Sequence, residues 1–202
     1  MTEHYYTQNP NIEHDEQTVI YEVLGNKFTC TTDAGVFSRD GVDTGSRILM
    51  EAAGPLSGKV LDMGAGWGAV GITIAKAYPD TFVTMAEINS RAIELIHKNM
   101  AANGVSNCET VATDGYTNVT GVYDYILTNP PIRAGKAVIY QMFADAREHL
   151  APNGAMFIVI RKQQGAPSAQ KYLATLFSYV RIVEKEAGFW ILRCAGHSPV
   201  GV

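Results

Sequence analysis

The sequence predicts a doubly wound α/β fold: seven strands in one mostly parallel sheet with a C-terminal antiparallel hairpin, plus a small N-terminal β-hairpin. From residue 59 onward, short β-prone runs alternate with helical stretches, and repeated βα units require parallel strands with helices on both faces. The last two apolar runs lie too close together for a helix between them, so they must pair antiparallel. The 202 residues, 47% of them hydrophobic, suffice for one domain with a buried core.

The first 57 residues precede the sheet. Residues 1–18 are predicted to form a loose polar N-terminal arm, and residues 19–57 a hairpin and a helix. The hairpin signal is Gly25-Asn26 between two β-prone runs, and the helix is ended by Gly54-Pro55. The predicted strands are Val19–Leu24 and Lys27–Thr31, and the predicted helix is Ile48–Ala53 after a polar stretch.

Residues 58–202 are predicted to form a Rossmann-like core. Apolar residues at helical spacing mark its helices, and Ser90 is the expected N-cap of the one that ends at Gly104. The predicted strands are Lys59–Asp62, Thr81–Ala86, Cys108–Ala112, Tyr123–Leu127, Ala155–Ile160, Tyr179–Glu184 and Phe189–Cys194. The predicted helices are Ala69–Tyr78, Ser90–Asn103, Ala137–Leu150 and Ser168–Phe177.

Composition excludes several classes of protein. No run of about 18 apolar residues occurs, so no membrane span is expected. The polar, acidic start fits neither a signal peptide nor a transit peptide, which favours a cytoplasmic location. Three scattered cysteines are expected to be reduced thiols, and five histidines without ligand spacing predict no metal.

The net charge of −4 hides an uneven distribution. Residues 1–40 carry −5 and residues 41–128 carry −4, whereas residues 129–202, with nine basic and four acidic side chains, carry +5. An acidic total argues against a nucleic-acid partner, but a basic last third favours one.

A glycine-rich loop, VLDMGAGWG over residues 60–68, joins the first core strand to its helix. Glycines there allow a tight turn and a close approach to a ligand. Gly64, Gly66 and Ala69 satisfy the dinucleotide pattern G-x-G-x-x-A, and Glu87 follows at the next strand end, as a ribose-binding acid should. A nucleoside ligand is therefore predicted; Trp67 either lines its pocket or packs in the core.

Acidic residues follow the first three core strands, namely Asp62, Glu87 and Asp114. A carboxylate beside the loop would repel a pyrophosphate but suits a cation. S-adenosylmethionine (SAM) fits: Asp62 for its ammonium, directly or through water, Glu87 for the ribose hydroxyls and Asp114 for the adenine amino group. An NAD-dependent oxidoreductase remains the alternative from another class.

The sequence Asn129-Pro130-Pro131-Ile132 follows the fourth core strand. Two prolines stiffen the chain and fix the Asn129 amide oxygen and the Pro130 carbonyl. Two convergent acceptors suit an exocyclic NH₂ group, since they hold its hydrogens and direct the nitrogen lone pair to a methyl donor. A plain turn at the end of a strand is the alternative interpretation.

These segments resemble class I SAM-dependent methyltransferases, most closely the catalytic domain of RsmC-type 16S rRNA guanine-N2 methyltransferases. The resemblance covers residues 17–195 and includes GVFS at 35–38, GVDTGSR at 41–47, NPPIRAGK at 129–136 and RKQQGAP at 161–167. It implies that Asn129, Pro130, Pro131 and Ile132 receive the target base. It implies a SAM site formed by Asp62, Gly64, Ala65, Gly66, Trp67, Gly68, Glu87, Ile88, Asp114, Gly115 and Asn129.

Two features depart from the family pattern. Many amino-methylating relatives have an aromatic residue after NPP, where this chain has Ile132; Phe37 is the candidate to stack on the base instead, or else a core residue of the hairpin. Some RsmC-type enzymes also carry an additional N-terminal domain. Substrate docking is therefore expected to differ or to be confined to the catalytic domain.

Basic residues cluster after the fourth and fifth core strands. Arg133, Lys136, Arg161 and Lys162 are expected to bind RNA phosphates, with Gln163 and Gln164 adding hydrogen bonds to sugar or base edges. Three other basic residues of the last third are interpreted as surface charges: Lys171, Arg181 and Lys185.

The predicted function is methyl transfer from SAM to guanine N2 in 16S rRNA, with the base unpaired or flipped. The expected partner is ribosomal RNA or the assembling small ribosomal subunit. The alternatives within the methyltransferases are a protein glutamine and adenine N6, and a catalytically silent SAM- or RNA-binding module is a further one.

Overall fold

The computed structural model describes residues 12–197 and shows an α/β domain in which a seven-stranded sheet lies between two helical layers. The predicted fold class is confirmed. The strands are β1 (Gln17–Val23), β2 (Asn26–Thr32), β3 (Gly58–Met63), β4 (Thr81–Glu87), β5 (Cys108–Ala112), β6 (Tyr123–Thr128), β7 (Leu150–Arg161), β8 (Phe177–Glu186) and β9 (Phe189–His197). The helices are α1 (Thr44–Ala53), α2 (Ala69–Ala77), α3 (Ser90–Asn103), α4 (Lys136–Glu148) and α5 (Ala166–Leu176).

The large sheet has the order β5-β4-β3-β6-β7-β9-β8, and only β9 runs against its neighbours. The chain moves outward from β3 to β5 and then returns to place β6 on the other side of β3. Ligands in open α/β sheets bind at this reversal, in the crevice beyond the carboxyl ends of the strands. The topology therefore places a binding site where the loops after β3 and β6 meet.

Two apolar cores cover the two faces of the sheet. Ile48 of α1, Ile72 of α2 and Ile96 of α3 are buried against one face, and Phe143 of α4 and Leu173 of α5 against the other. Because both faces are covered, successive residues of the central parallel strands are buried over most of each strand instead of alternating between buried and exposed.

The N-terminal hairpin packs on α3 through two asparagines one helical turn apart. Asn99 Oδ1 accepts the Thr31 N–H at 2.6 Å, and Asn99 Nδ2 donates to the Thr31 carbonyl at 2.9 Å. Asn103 makes the same pair of bonds with Thr29, at 3.1 and 2.9 Å. These amides satisfy the free edge of β2, which otherwise would present unpaired backbone groups.

Of the predicted arm, the structure describes residues 12–18; residues 12–16 are held against the domain, and the last two belong to β1. Buried Arg91 donates to the Ile12 carbonyl at 2.5 Å, the Asp15 N–H donates to Asp33 at 2.6 Å, and Lys98 pairs with Glu16 at 2.5 Å. Residues 1–11 of that prediction lie outside the described residues. The domain division at residue 18 stays a prediction, although β1 already begins at Gln17.

Several local details differ from the sequence-based expectations; among them, β7 begins at Leu150, where the sequence pattern predicts the end of the preceding helix. The N-cap of α3 is Asn89 rather than Ser90, because Asn89 Oδ1 accepts the Arg91 and Ala92 N–H groups at 3.0 and 3.4 Å. Helix α1 begins at Thr44, four residues early, because Asp43 caps it. The first hairpin turns at Leu24-Gly25, both with positive φ, rather than at Gly25-Asn26.

Within residues 12–197, no helix is long and apolar enough to cross a membrane. Over the same residues, no group of three His, Cys, Asp or Glu side chains is placed to hold a metal ion. The three cysteines are free and buried, and burial raises the pKa of the Cys108 thiol to about 11.

Candidate active site

A cavity of about 650 Å³ lies at the carboxyl ends of the parallel strands. Its wall comes from the loops after β3, β4, β5, β6 and β7, together with the segment before α1 and the start of β9. Such a volume falls in the range of small-molecule and cofactor sites. The acids and the NPP sequence of the predicted site thus meet at one edge of the sheet.

The glycine loop after β3 uses its own backbone donors internally. The Gly64 and Ala65 N–H groups donate to the Ala86 carbonyl at 2.9 and 3.1 Å, and the Gly66 N–H donates to Glu87 Oε2 at 2.7 Å. Gly64 and Gly66 have φ of 77° and 57°, which favours glycine. Because these amides are occupied, the loop is not a cradle for a pyrophosphate, and this disfavours the NAD alternative.

Glu87 ends β4 with its carboxylate at the cavity wall, and the residue is 8% exposed. Oε1 accepts the Ile88 and Asn89 N–H groups at 2.8 and 2.9 Å. Burial raises the pKa of this carboxyl, while the three N–H bonds oppose the rise. A carboxylate offers about four acceptor positions, so Oε2 keeps one for a ligand hydroxyl.

Asp62 lies beneath the loop and is 2% exposed. Its Oδ2 accepts the Gly71 N–H at 2.8 Å, and burial, together with the charge of Glu87, raises the pKa of Asp62 to about 7. Asp62, Ala65 and Trp67 do not line the large cavity but a small one of about 30 Å³, which shares Gly64, Gly66 and Asn129 with it.

Asn129 follows β6, and its side-chain amide is held from the other side of the cavity. Nδ2 lies 3.3 Å from both carboxylate oxygens of Asp43 and 3.1 Å from Ser46 Oγ. A carboxylate only accepts hydrogen bonds, so the NH₂ group of the amide must face Asp43. The oxygen Oδ1 is then the group that Asn129 can offer to the cavity as an acceptor.

Cationic and aromatic side chains complete the mouth of the cavity. Arg133 follows the NPP sequence, and Arg161 ends β7 with its guanidinium 4.5 Å from the ring centroid of Phe189. Phe37, from the segment before α1, lines the same cavity and is 37% exposed. The mouth therefore offers positive charge and an exposed ring beside Asn129.

Residues 27–193 match the model of one protein family, the methyltransferase small domain. The chain belongs to this family. The match covers most of the chain and all of the loops that form the cavity. It confirms the predicted class, a class I SAM-dependent methyltransferase, and with it SAM as the cofactor.

Individual relatives of this methyltransferase resemble it over different shares of their length. YbxB of Bacillus subtilis, described as an uncharacterized protein, is 40% identical over 197 residues, 96% of this chain and 98% of that protein. Ribosomal RNA small subunit methyltransferase C of Vibrio parahaemolyticus is 40% identical over 129 residues, 62% of this chain but 38% of that enzyme. The T. thermophilus 16S rRNA N2 methyltransferase RsmC, solved with AdoMet and guanosine, superposes with a TM-score of 0.82 at 25% identity, covering 93% of this chain and 52% of that one. This chain thus spans about half, or less, of the two RsmC enzymes.

Most residues predicted for the methyltransferase site do line the large cavity. They are Phe37, Gly64, Gly66, Glu87, Ile88, Asp114, Gly115, Asn129, Pro130, Pro131, Ile132, Arg133 and Arg161. The Trp67 ring instead packs in the core, 2% exposed, with Nε1 donating to the Ser38 carbonyl at 3.2 Å.

Four predicted residues line neither cavity: Gly68, Lys136, Lys162 and Gln163. Gly68 is the left-handed N-cap of α2 and lies against Ile72. Lys136 lies in the first turn of α4 with its Nζ 5.0 Å from the Tyr140 ring centroid. A 3-10 turn after β7 keeps Lys162 and Gln163 exposed and brings Gln164 to the cavity in their place.

Asp43 and Ser46 hold the Asn129 amide, and the sequence-based prediction of the site did not include them. Asp43 also accepts the Gly45 and Ser46 N–H groups at 2.9 and 3.2 Å, which makes it the N-cap of α1. An aspartate just before a helical apolar run is a recognisable cap signal. Its contact with Asn129, 86 residues away in the chain, has no signal in a single sequence.

Proposed function

We propose that this methyltransferase acts on the exocyclic N2 of a guanine in small-subunit ribosomal RNA. The observation that carries the proposal is the oriented amide of Asn129, held by Asp43 and Ser46 so that its oxygen is the acceptor offered to the cavity. An acceptor fixed before the substrate arrives lowers the cost of orienting the reacting amine.

The residues around the cavity fit a cationic nucleoside cofactor. When bound, SAM supplies an electrophilic methyl group on a sulfonium. Glu87 keeps an acceptor position for ribose hydroxyls. Asp114 is exposed and lines the cavity after β5, and it is proposed to accept from the adenine amino group. The carboxylates of Asp62 and Glu87 favour positive charge at the loop.

Asn129 Oδ1 and the Pro130 carbonyl are proposed to accept the two hydrogens of the substrate NH₂ group. The nitrogen lone pair then points away from both acceptors, toward the methyl donor. The methylated nitrogen carries one extra proton, which it loses readily to solvent, so no strong base is needed. Phe37 is proposed to stack on the flipped base in place of the aromatic residue that Ile132 replaces.

The preference for ribosomal RNA rests on the RsmC relatives and on the charge at the mouth. Arg133 and Arg161 are the cations that line the cavity, and Lys136 and Lys162 lie beside them on adjoining turns. Cations around a base-receiving pocket bind phosphates and leave base selection to the pocket.

The test is to incubate rRNA from a strain that lacks this gene with the protein and deuterated SAM, then to identify the labelled nucleoside by mass spectrometry. We expect labelled N2-methylguanosine at one position, and a loss of at least about 100-fold in rate for Asn129→Ala with SAM binding retained. Label on adenosine or on protein only, or normal turnover by Asn129→Ala, would contradict the proposal.

A further inference from the structure

The C-terminal hairpin carries two arginines directly opposite each other. Arg181 of β8 and Arg193 of β9 are cross-strand partners, so their side chains leave the same face of the sheet. The ring centroid of Tyr179 lies 5.5 Å from the Arg181 guanidinium carbon and 5.2 Å from that of Arg193. We call Tyr179, Arg181 and Arg193 the hairpin patch.

Like charges placed directly opposite on a sheet are destabilising, and the protein does not neutralise this pair. Over residues 12–197, neither guanidinium forms an ion pair. The acids nearby on β8 are engaged elsewhere: Glu186 pairs with Arg47, and Glu184 accepts the Lys185 N–H at 2.8 Å. The charge of the hairpin patch is therefore available to an external anion.

Three other arginines of the described residues show the contrasting arrangement. Arg39 pairs with Asp15, Arg47 with Glu51 and Glu186, and Arg91 with Asp33. Arg181 is instead exposed, and Tyr179 is 40% exposed beside it. An exposed ring that supports two guanidiniums resembles the way RNA-binding surfaces combine stacking with charge.

Arg193 of the hairpin patch lies on the strand that also contributes Phe189 to the cavity wall, with buried Ile191 between Phe189 and Arg193 on the same face. Phe189 lines the cavity under Arg161, and Arg193 lies four residues farther on the same face of the same strand. At about 3.3 Å per residue, the separation is about 13 Å. A nucleic-acid strand whose base enters the cavity can therefore reach the hairpin patch with its neighbouring phosphates.

We propose that the hairpin patch binds the phosphate backbone of the RNA strand that flanks the target nucleotide. This inference rests on the proposed function and adds a docking surface to it. A guanidinium matches a phosphate with two parallel N–H donors, and two guanidiniums side by side suit the repeated charges of a strand. Such contacts add affinity and position the RNA strand, but they do not depend on its base sequence.

The experiment compares Arg181→Gln/Arg193→Gln with Lys59→Gln/Lys171→Gln in the full chain. The control removes the same charge from exposed positions at the amino end of β3 and on α5, away from the patch. Affinity for an unmethylated 16S rRNA transcript is measured across salt concentrations, with SAM binding and thermal unfolding as checks on folding. Turnover at saturating transcript is measured in parallel.

For the patch variant we expect the transcript Kd to rise about tenfold, and the salt slope to fall by about 1.4, as for two contacts to a single strand. Saturated turnover and SAM affinity stay within about twofold. An equal loss in the control, or an unchanged Kd and slope in the patch variant, would overturn the proposal. Patch-dependent binding of a transcript that the wild type never methylates would contradict the proposed function alone.

Discussion

Asn129 shows how a group that we propose to be catalytic can depend on a residue that need not touch the substrate. Its amide has two chemically different ends, and rotation by half a turn would present donors to the substrate amine instead of an acceptor. Asp43 selects one of the two orientations, because a carboxylate can only accept hydrogen bonds and its oxygens lie 3.3 Å from Asn129 Nδ2. Asp43 caps α1, and we propose that it also positions Asn129 for methyl transfer.

Replacing Asp43→Asn separates these two roles. The introduced amide keeps an oxygen to cap α1, so the free energy of unfolding should change by no more than about 0.5 kcal/mol. Its NH₂ group would oppose that of Asn129 and favour the rotated amide. We therefore expect single-turnover methylation to slow at least about tenfold at unchanged SAM affinity, whereas Asp43→Ala should also lose about 1 kcal/mol of stability. Full activity of Asp43→Asn would refute the positioning role.

Asp62 predicts a pH dependence of stability. Its pKa rises from about 3.9 in the unfolded chain to about 7 in the fold, mainly because of burial. This carboxyl therefore contributes stability below about pH 4 that is lost as the pH rises through 7. Asp62→Asn, which mimics the protonated form, should match the wild type at pH 4 and exceed it at pH 7.5 in urea unfolding without ligand. The exposed Asp114→Asn serves as the control, and a constant difference between Asp62→Asn and wild type at all pH values would contradict the assignment.

At the scale of elements, the loop after β4 depends on which residue caps α3. Asn89 caps α3 and also donates from Nδ2 to the Gly35 carbonyl at 3.0 Å, which ties the segment before α1 to the cavity wall. Asn and Ser are both good capping residues, and they stand side by side at 89 and 90. Only the backbone angles determine which of them caps the helix, so the sequence could predict the helix but not its cap.

The cap assignment predicts a difference between two substitutions at one position. Asn89→Ala removes the acceptor for the Arg91 and Ala92 N–H groups, whereas Asn89→Ser retains one. Both lose the bond to Gly35, so their difference isolates the cap. We expect the free energy of unfolding of Asn89→Ala to be about 1 kcal/mol lower than that of Asn89→Ser. Equal free energies of unfolding for the two variants in chemical denaturation would contradict the assignment of Asn89 as the cap.

At the scale of the whole molecule, the strand order decides what the cavity can hold. The reversal between β3 and β6 brings the glycine loop, two buried acids and the NPP sequence to one edge, while the loop amides bond internally. Buried carboxylates at this edge favour a cationic ligand. A pyrophosphate is disfavoured, because the loop amides that would bind it already form hydrogen bonds within the protein. The overall charge of −4 is thus a sum over regions that differ in sign.

Ligand-dependent unfolding tests this selectivity. A ligand at 100 times its Kd adds about 2.7 kcal/mol of stability, or about 5–10 °C in Tm for a chain of this size. We expect that shift with S-adenosylhomocysteine and none with NAD at equal concentration. Stabilisation by NAD and not by S-adenosylhomocysteine would favour an NAD-dependent oxidoreductase instead.

The sequence by itself determined the fold class, the glycine loop, the acids after three strands and the NPP sequence. These signals are local, since periodicity and turn residues act within a few positions of one another. Only the tertiary structure decided that Gln164 rather than Gln163 lines the cavity, because the pitch of one 3-10 turn sets which side chain points inward. It alone joined Asp43 to Asn129 and set Arg181 opposite Arg193, because helix placement and strand register bring together residues that are distant in the chain.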